Sequence, residues 1–555
     1  MALPFPEHPR PQLRRDAWQN LNGPWQYALC EEKPAAWQGE ILVPYCIESS
    51  ASGVGKPTGG LPLWYRRTFR PAETLRAAGQ KILLHFGAVD QECTVWVNGR
   101  EAGGHAGGYL PFSLDITALL NEGDNELLVR TADHTEKSIY PRGKQVSQPK
   151  GIWYTPVSGI WQTVWLEAVP QNHLRGLKLT LGLAAVTLAA DFDGQVDAEI
   201  YDGERLAARQ SFSGQATVSI PSPRLWTPED PHLYRLVLHC GEDTVESYFG
   251  LRTFAVQDDA AGVPRFFLNG RPYFQRGLLD QGYWPEGLYT APSDEALCGD
   301  IEKAKDLGFN LLRKHIKVEP ARWYYHCDRL GMLVWQDMPS GGSCTEFLRH
   351  LALPNLNIHL SDRGRGKQDD ARRQEFTREL DELVETLYNV VSLCTWVPFN
   401  EGWGQFESAK ATARLWELDP TRPVDSASGW HDQGAGDYKS VHRYIVRLKA
   451  PRNTGGRAFA LTEYGGYSQV VPGHVWDEEK SFGYRMYPTR EALTQAYRTL
   501  HEQQVLPLLE RGLCATVYTQ LTDVEGEVNG LFTYDRAVCK LDAQTVRAIN
   551  RRLTY

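Results

Sequence analysis

Val391-Ser392-Leu393-Cys394-Thr395-Trp396 runs directly into Val397-Pro398-Phe399-Asn400-Glu401-Gly402-Trp403-Gly404-Gln405. The first six residues are short, apolar and β-rich, which predicts a buried strand. That strand ends in an Asn-Glu pair set among glycines and aromatics. A second run of the same form is Ala458-Phe459-Ala460-Leu461-Thr462-Glu463-Tyr464-Gly465-Gly466. A glutamate at a strand end is ordinarily a solvated or capping residue. Two of them, each closing an apolar strand, suit glycoside hydrolysis, where one carboxyl protonates the leaving oxygen and the other attacks or activates water.

Working outward from these runs, the chain from about 257 onward repeats strand, loop and helix, which implies parallel strands with crossover helices. The spacing predicts a strand at Asn310–Arg313, a helix opening at Pro320 and closing near Gly331, and a strand at Leu333–Gln336. Phe376, Leu380, Leu383, Val384 and Leu387 fall on one helical face. Eight candidate strand tips lie near Gly277, Arg313, Gln336, Trp396, Ser426, His442, Thr462 and Thr519, a count that suits a (β/α)8 TIM barrel over 257–555. Barrels of this kind keep their chemistry at the C-terminal strand tips, where both glutamates fall. Residues 1–170 read as a β-sandwich, with Thr94 to Val97 alternating and Asn98-Gly99 supplying a two-residue hairpin turn. Residues 171–256 read as a smaller sandwich, in which Leu177, Leu179 and Leu181 alternate with Lys178 and Thr180.

Asn400-Glu401 followed by Gly402-Trp403, with Thr462-Glu463-Tyr464-Gly465-Gly466 further on, resembles the acid/base and nucleophile motifs of glycoside hydrolase family 2. Leu21-Asn22-Gly23-Pro24-Trp25, Trp64-Tyr65-Arg66-Arg67-Thr68-Phe69 and Gly159-Ile160-Trp161-Gln162 resemble that family's sugar-binding jelly-roll domain. Leu225-Trp226-Thr227-Pro228 and Phe249-Gly250-Leu251-Arg252 resemble its immunoglobulin-like domain.

The resemblance implies a retaining exo-β-glycosidase, with Glu463 as nucleophile and Glu401 as acid/base. Asn400 would bind the sugar 2-hydroxyl, Asp337 would read sugar hydroxyls, and Tyr464 would orient the nucleophile. Asp280, His315, Trp430, His442, Tyr444 and Gln520, at or just beyond other strand tips, are weaker substrate-binding candidates.

A β-galactoside is the first expectation for substrate, with glucuronide, mannoside or arabinoside hydrolysis, or an inactive carbohydrate-binding protein, as alternatives. Glu527-Val528-Asn529 stands where β-glucuronidases carry Asn-x-Lys, and an acidic residue there would repel a uronate. Met338-Pro339-Ser340-Gly341-Gly342-Ser343 offers no Glu or His where large β-galactosidases hold magnesium, so no metal and no cofactor are expected. The 338–372 segment is long for a connection and could select the aglycone.

The formal charge of −9 gives no reason to expect nucleic acid or an anionic membrane as partner. No stretch approaches the ~20 apolar residues of a membrane helix. The first residues lack the features of a signal peptide, and the ten cysteines are scattered without paired spacing. These features fit a reduced, cytoplasmic protein acting on an oligosaccharide or small glycoside, with a homo-oligomer as a prior.

Overall fold

The computed structural model describes residues 3–77, 79–340, 360–362 and 370–555. The first expected sandwich consists of a four-stranded and a six-stranded antiparallel sheet, drawn from strands between Trp18 and Val169. Trp25, Tyr65, Leu84, Phe86, Val95, Val129 and Leu166 fill the space between them. Val97 pairs with Arg100 across the expected hairpin, and Asn98 and Gly99 both take positive φ, 52° and 75°. That is the backbone a two-residue turn of matching twist demands.

Three-stranded and four-stranded sheets between Gly176 and Phe249 form the second sandwich. Arg15 joins it to the first, donating to Asp243 at 2.7 and 2.8 Å and to Glu167 at 3.0 Å. The expected boundary at 256/257 falls inside the strand Phe254–Asp258, which pairs with Pro264–Leu268. This hairpin sits at the base of the barrel, where the Arg265 guanidinium donates to the Leu513 carbonyl.

The barrel is one parallel sheet of seven strands. In sheet order they are Leu393–Val397, Leu333–Asp337, Leu311–Lys314, Gln275–Asp280, Leu513–Thr519, Ala458–Gly465 and Tyr438–Arg443. The expected fifth strand near Ser426 is not a regular strand. Isolated parallel bridges, Trp396 to Val424 and Asn400 to Ser428, carry the chain through its place. Asp437 N–H donating to the Val424 carbonyl at 2.8 Å completes the closure.

The helix expected from Pro320 spans Ala321–Leu330 and ends at Gly331, whose φ of 72° is the left-handed C-terminal stop that glycine supplies. The helix Asp370–Leu387 buries Phe376, Leu380, Leu383, Val384 and Leu387, as the periodicity requires. Most of the 338–372 segment lies outside the described residues. No helix among the described residues is long and apolar enough to cross a membrane.

Candidate active site

Arg313 is the hub at the top of the barrel, and it is fully buried. A buried charge persists only when it is paired and hydrogen-bonded. Its Nε donates to Asp337 Oδ1 at 2.9 Å. Nη1 donates to the Thr462 carbonyl at 3.0 Å and to Glu463 Oε1 at 3.2 Å, and Nη2 donates to Asn400 Oδ1 at 2.9 Å. The rigid guanidinium fork thereby fixes groups from three other strand ends in one geometry.

Glu401 and Glu463 are placed by two different backbone devices. Glu401 has φ 50°, uncommon for a side chain other than glycine, and its N–H donates to Ser428 O at 3.0 Å. Glu463 lies within its strand, but the pairing register slips beside it on both neighbouring strands. Such bulges re-aim a side chain at a barrel rim.

His442 stands between the carboxylates. Its Nδ1 is 2.8 Å from Glu401 Oε1 and 3.6 Å from Glu463 Oε1, while Nε2 faces Ser428 Oγ at 3.1 Å and Arg313 Nη1 at 3.4 Å. Burial lowers its pKa to about 4, so the ring is neutral at pH 7. With the Arg313 N–H directed at Nε2, that nitrogen is assigned as the acceptor, and Nδ1–H donates to Glu401. Ligand atoms of Glu401, His442 and Glu463 all lie within 4.8 Å of one another. This is also the one group among the described residues able to offer a cation three ligands. A cation held there would engage both carboxylates at once.

Burial raises the Glu401 pKa to about 7, with Lys144, the Trp403 indole N–H and Arg313 opposing the shift. The Tyr444 hydroxyl donates to Glu463 Oε2 and lies 3.2 Å from Thr519 Oγ1. Its ring stacks on Tyr484 at 4.1 Å. Trp403 Nε1 lies 3.4 Å from Glu401 Oε2. Asn400, His315, Tyr444 and both glutamates line a single cavity together with Lys144, Trp153, Trp403, Tyr484 and Glu527.

The remaining expected residues lie outside that lining. Asp337 has both oxygens engaged, one by Arg313 and the other by His315 Nδ1 at 2.7 Å, so it supports the residues that face the cavity. Tyr464 does not reach Glu463. Successive strand residues point to opposite faces, and Tyr464 packs edge-on against Tyr518 with its hydroxyl 2.9 Å from His501 Nε2. Tyr444 makes the contact expected of it.

Asp280 accepts from Lys314 Nζ at 2.7 Å within a buried network. Trp430 packs beside His442, with ring centroids 6.3 Å apart. Gln520 is held between Gln281 and Asn529.

Sequence reasoning did not select Arg313, although a charge inside Leu311-Leu312-Arg313 was a readable signal. Lys144 and Trp153 come from a loop of the first sandwich, and nothing local in the sequence ties them to the barrel. The loop is docked there by Tyr154, whose hydroxyl donates to Glu527 Oε2, and by Thr155 N–H donating to Glu525 at 2.9 Å.

Comparison with known proteins agrees with this architecture. Residues 40–170 match the model of the glycosyl hydrolases family 2 sugar binding domain, and residues 184–252 match the model of glycosyl hydrolases family 2. A putative β-glucuronidase of Formosa agariphila is 28% identical over 70% of this chain and 48% of its own. A β-galactosidase of Thermoanaerobacter pseudethanolicus is 28% identical over 58% of this chain and 47% of its own. The chain thus spans about half the length of these curated relatives. The solved β-glucuronidase of Ruminococcus gnavus superposes with a TM-score of 0.77 over 98% of both chains at 17% identity, a likeness of fold. Both models of glycoside hydrolase family 2 are thus matched in order over the two sandwiches, and the barrel that follows completes the architecture which this similarity implies.

Proposed function

We propose that this protein is a retaining exo-β-glycosidase. Glu463 attacks the anomeric carbon while the bond to the leaving oxygen breaks and Glu401 gives that oxygen its proton. Water then attacks the glycosyl-enzyme, yields a proton to Glu401 and releases Glu463. The observation that carries this reading is that one oxygen of each carboxylate lies within 4.8 Å of the other at the strand tips, close enough to suit the shorter of the two known separations. Retention needs carboxyls ~5–5.5 Å apart, whereas inversion leaves ~6.5–9.5 Å for a water. The elevated pKa of Glu401 suits a proton donor at neutral pH, and Arg313 and Tyr444 hold Glu463 ready as the nucleophile. Asn400, fixed by Arg313, is positioned for the 2-hydroxyl of the glycone.

A neutral glycone, a galactoside first, is favoured by the Glu527 carboxylate in the cavity wall. It accepts from Tyr154 and from Asn529 at 2.8 Å. A glucuronide is the second reading, favoured by the Lys144 ammonium in the same cavity and by relatives bearing that name. Hydrolysis of a panel of nitrophenyl β-glycosides by wild type and Glu463→Gln tests both. Turnover of one sugar, abolished in the variant, is expected. Equal turnover by the variant would remove Glu463 from the mechanism.

A further inference from the structure

Beside the catalytic cavity lies a second one of about 640 Å³, and the two share Trp153 and Ser340 as common wall. Their relation to the proton donor is direct. Trp403, whose indole N–H faces Glu401 Oε2 at 3.4 Å, packs edge-to-face on Trp153 with ring centroids 5.4 Å apart. Trp153 in turn carries the Arg142 guanidinium over its ring at 5.6 Å. A continuous row of Trp403, Trp153 and Arg142 therefore leads from the acid/base into the second cavity.

The charge of the described lining of this cavity is mostly positive. Among the described residues, Arg142, Lys150 and Arg372 line it, against one carboxylate, Glu136, which accepts from Ser147 N–H at 3.0 Å and from its hydroxyl. Lys150 and Trp153 are presented together by a tight turn closed by two backbone hydrogen bonds of 3.0 and 3.1 Å. Lys144, on the same loop, adds a further ammonium on the Glu401 side. Aromatic faces next to cations suit a sugar ring that bears an anionic substituent.

We infer that the second cavity is the leaving-group subsite, and that it takes an acidic saccharide unit bearing a carboxylate or sulfate. Resting on the glycosidase reading, this makes the natural substrate the non-reducing end of an anionic oligosaccharide. The first sandwich supplies the residues that recognise the departing unit.

The test uses disaccharides with one glycone and three reducing-end units: neutral, uronate and sulfated. Wild type is compared with Lys150→Gln/Arg372→Gln. The ratio of kcat/KM for an acidic over the neutral disaccharide is expected to exceed one in wild type and to fall in the variant by up to about fivefold for each lost charge pair, each being worth up to ~1 kcal/mol. The uronate and sulfate arms show which anion is preferred. Calorimetric binding of the same disaccharides to Glu463→Gln gives a readout independent of turnover. Tighter binding of an acidic disaccharide, weakened by added salt, is expected. Equal affinity for all three, or a ratio unmoved by the double substitution, would overturn the inference. Absence of hydrolysis alongside selective acidic binding would remove the glycosidase reading and the leaving-group role with it, and leave a binding site for acidic saccharides.

Discussion

Replacing Glu401 by Gln should abolish turnover and at the same time stabilise the protein at alkaline pH. In the fold, burial lifts this carboxyl from its ordinary 4.5 to about 7. A group whose folded pKa lies above its unfolded value binds more protons in the folded state, so raising the pH costs the fold stability. That cost is absent below about pH 4.5, grows between there and pH 7, and is complete above. At ~1.4 kcal/mol per tenfold difference in proton affinity, it amounts to ~3–4 kcal/mol. The figure is an upper bound because relaxation around the ionised group would recover part of the cost. Glutamine keeps the shape and accepts from His442 Nδ1, but never ionises. The assay is thermal unfolding of wild type and Glu401→Gln at half-unit pH steps from 4.5 to 9. The variant is expected to gain Tm on wild type progressively from pH 5 to 8, then hold a constant lead. A Tm difference that does not change with pH would refute the claim that Glu401 is destabilised as a carboxylate.

Other perturbations address separate parts of the site. Tyr444→Phe removes the hydroxyl that donates to Glu463, and hydrogen bonds to charged groups are worth ~1.5–3 kcal/mol, so kcat should fall about 10- to 100-fold with the fold intact by circular dichroism. Arg313→Lys leaves Asp337, Glu463 and Asn400 without the fork that holds them; loss of ~3–5 kcal/mol of stability is expected, read as a lower denaturation midpoint, and a midpoint equal to wild type would contradict the hub role. For wild type, kcat/KM should fall about tenfold per pH unit above about 7 as Glu401 loses its proton, and a limb displaced to pH 9 would assign the acid elsewhere.

Much of this was legible in the sequence, for identifiable reasons. The barrel strands are buried on both faces, so they read as continuous apolar runs ending in polar tips, as at Leu393–Val397 and Ala458–Gly465. The helix at Ala321–Leu330 carries its own start and stop in Pro320 and Gly331. The fifth barrel position was harder, because Val424 to Ser428 joins its neighbours through bridges rather than a regular ladder. Tyr464 misled because adjacency to Glu463 along a strand places it on the other face, whereas Tyr444, 19 residues away, reaches the carboxylate. Lys144 and Trp153 were invisible, since only the docking of a sandwich loop on the barrel brings them to Glu401. Tertiary contact of that kind leaves no period or spacing to read.

The central claim is double displacement through Glu463, and the stereochemistry of the first product tests it most directly. Proton NMR recorded within the first minutes of hydrolysis of a β-glycoside, before mutarotation, distinguishes the two anomers. The β-anomer should appear first, with the α-anomer following only as the sugar equilibrates. First appearance of the α-anomer would mean a single displacement by water, and would contradict the assignment of Glu463 as the nucleophile.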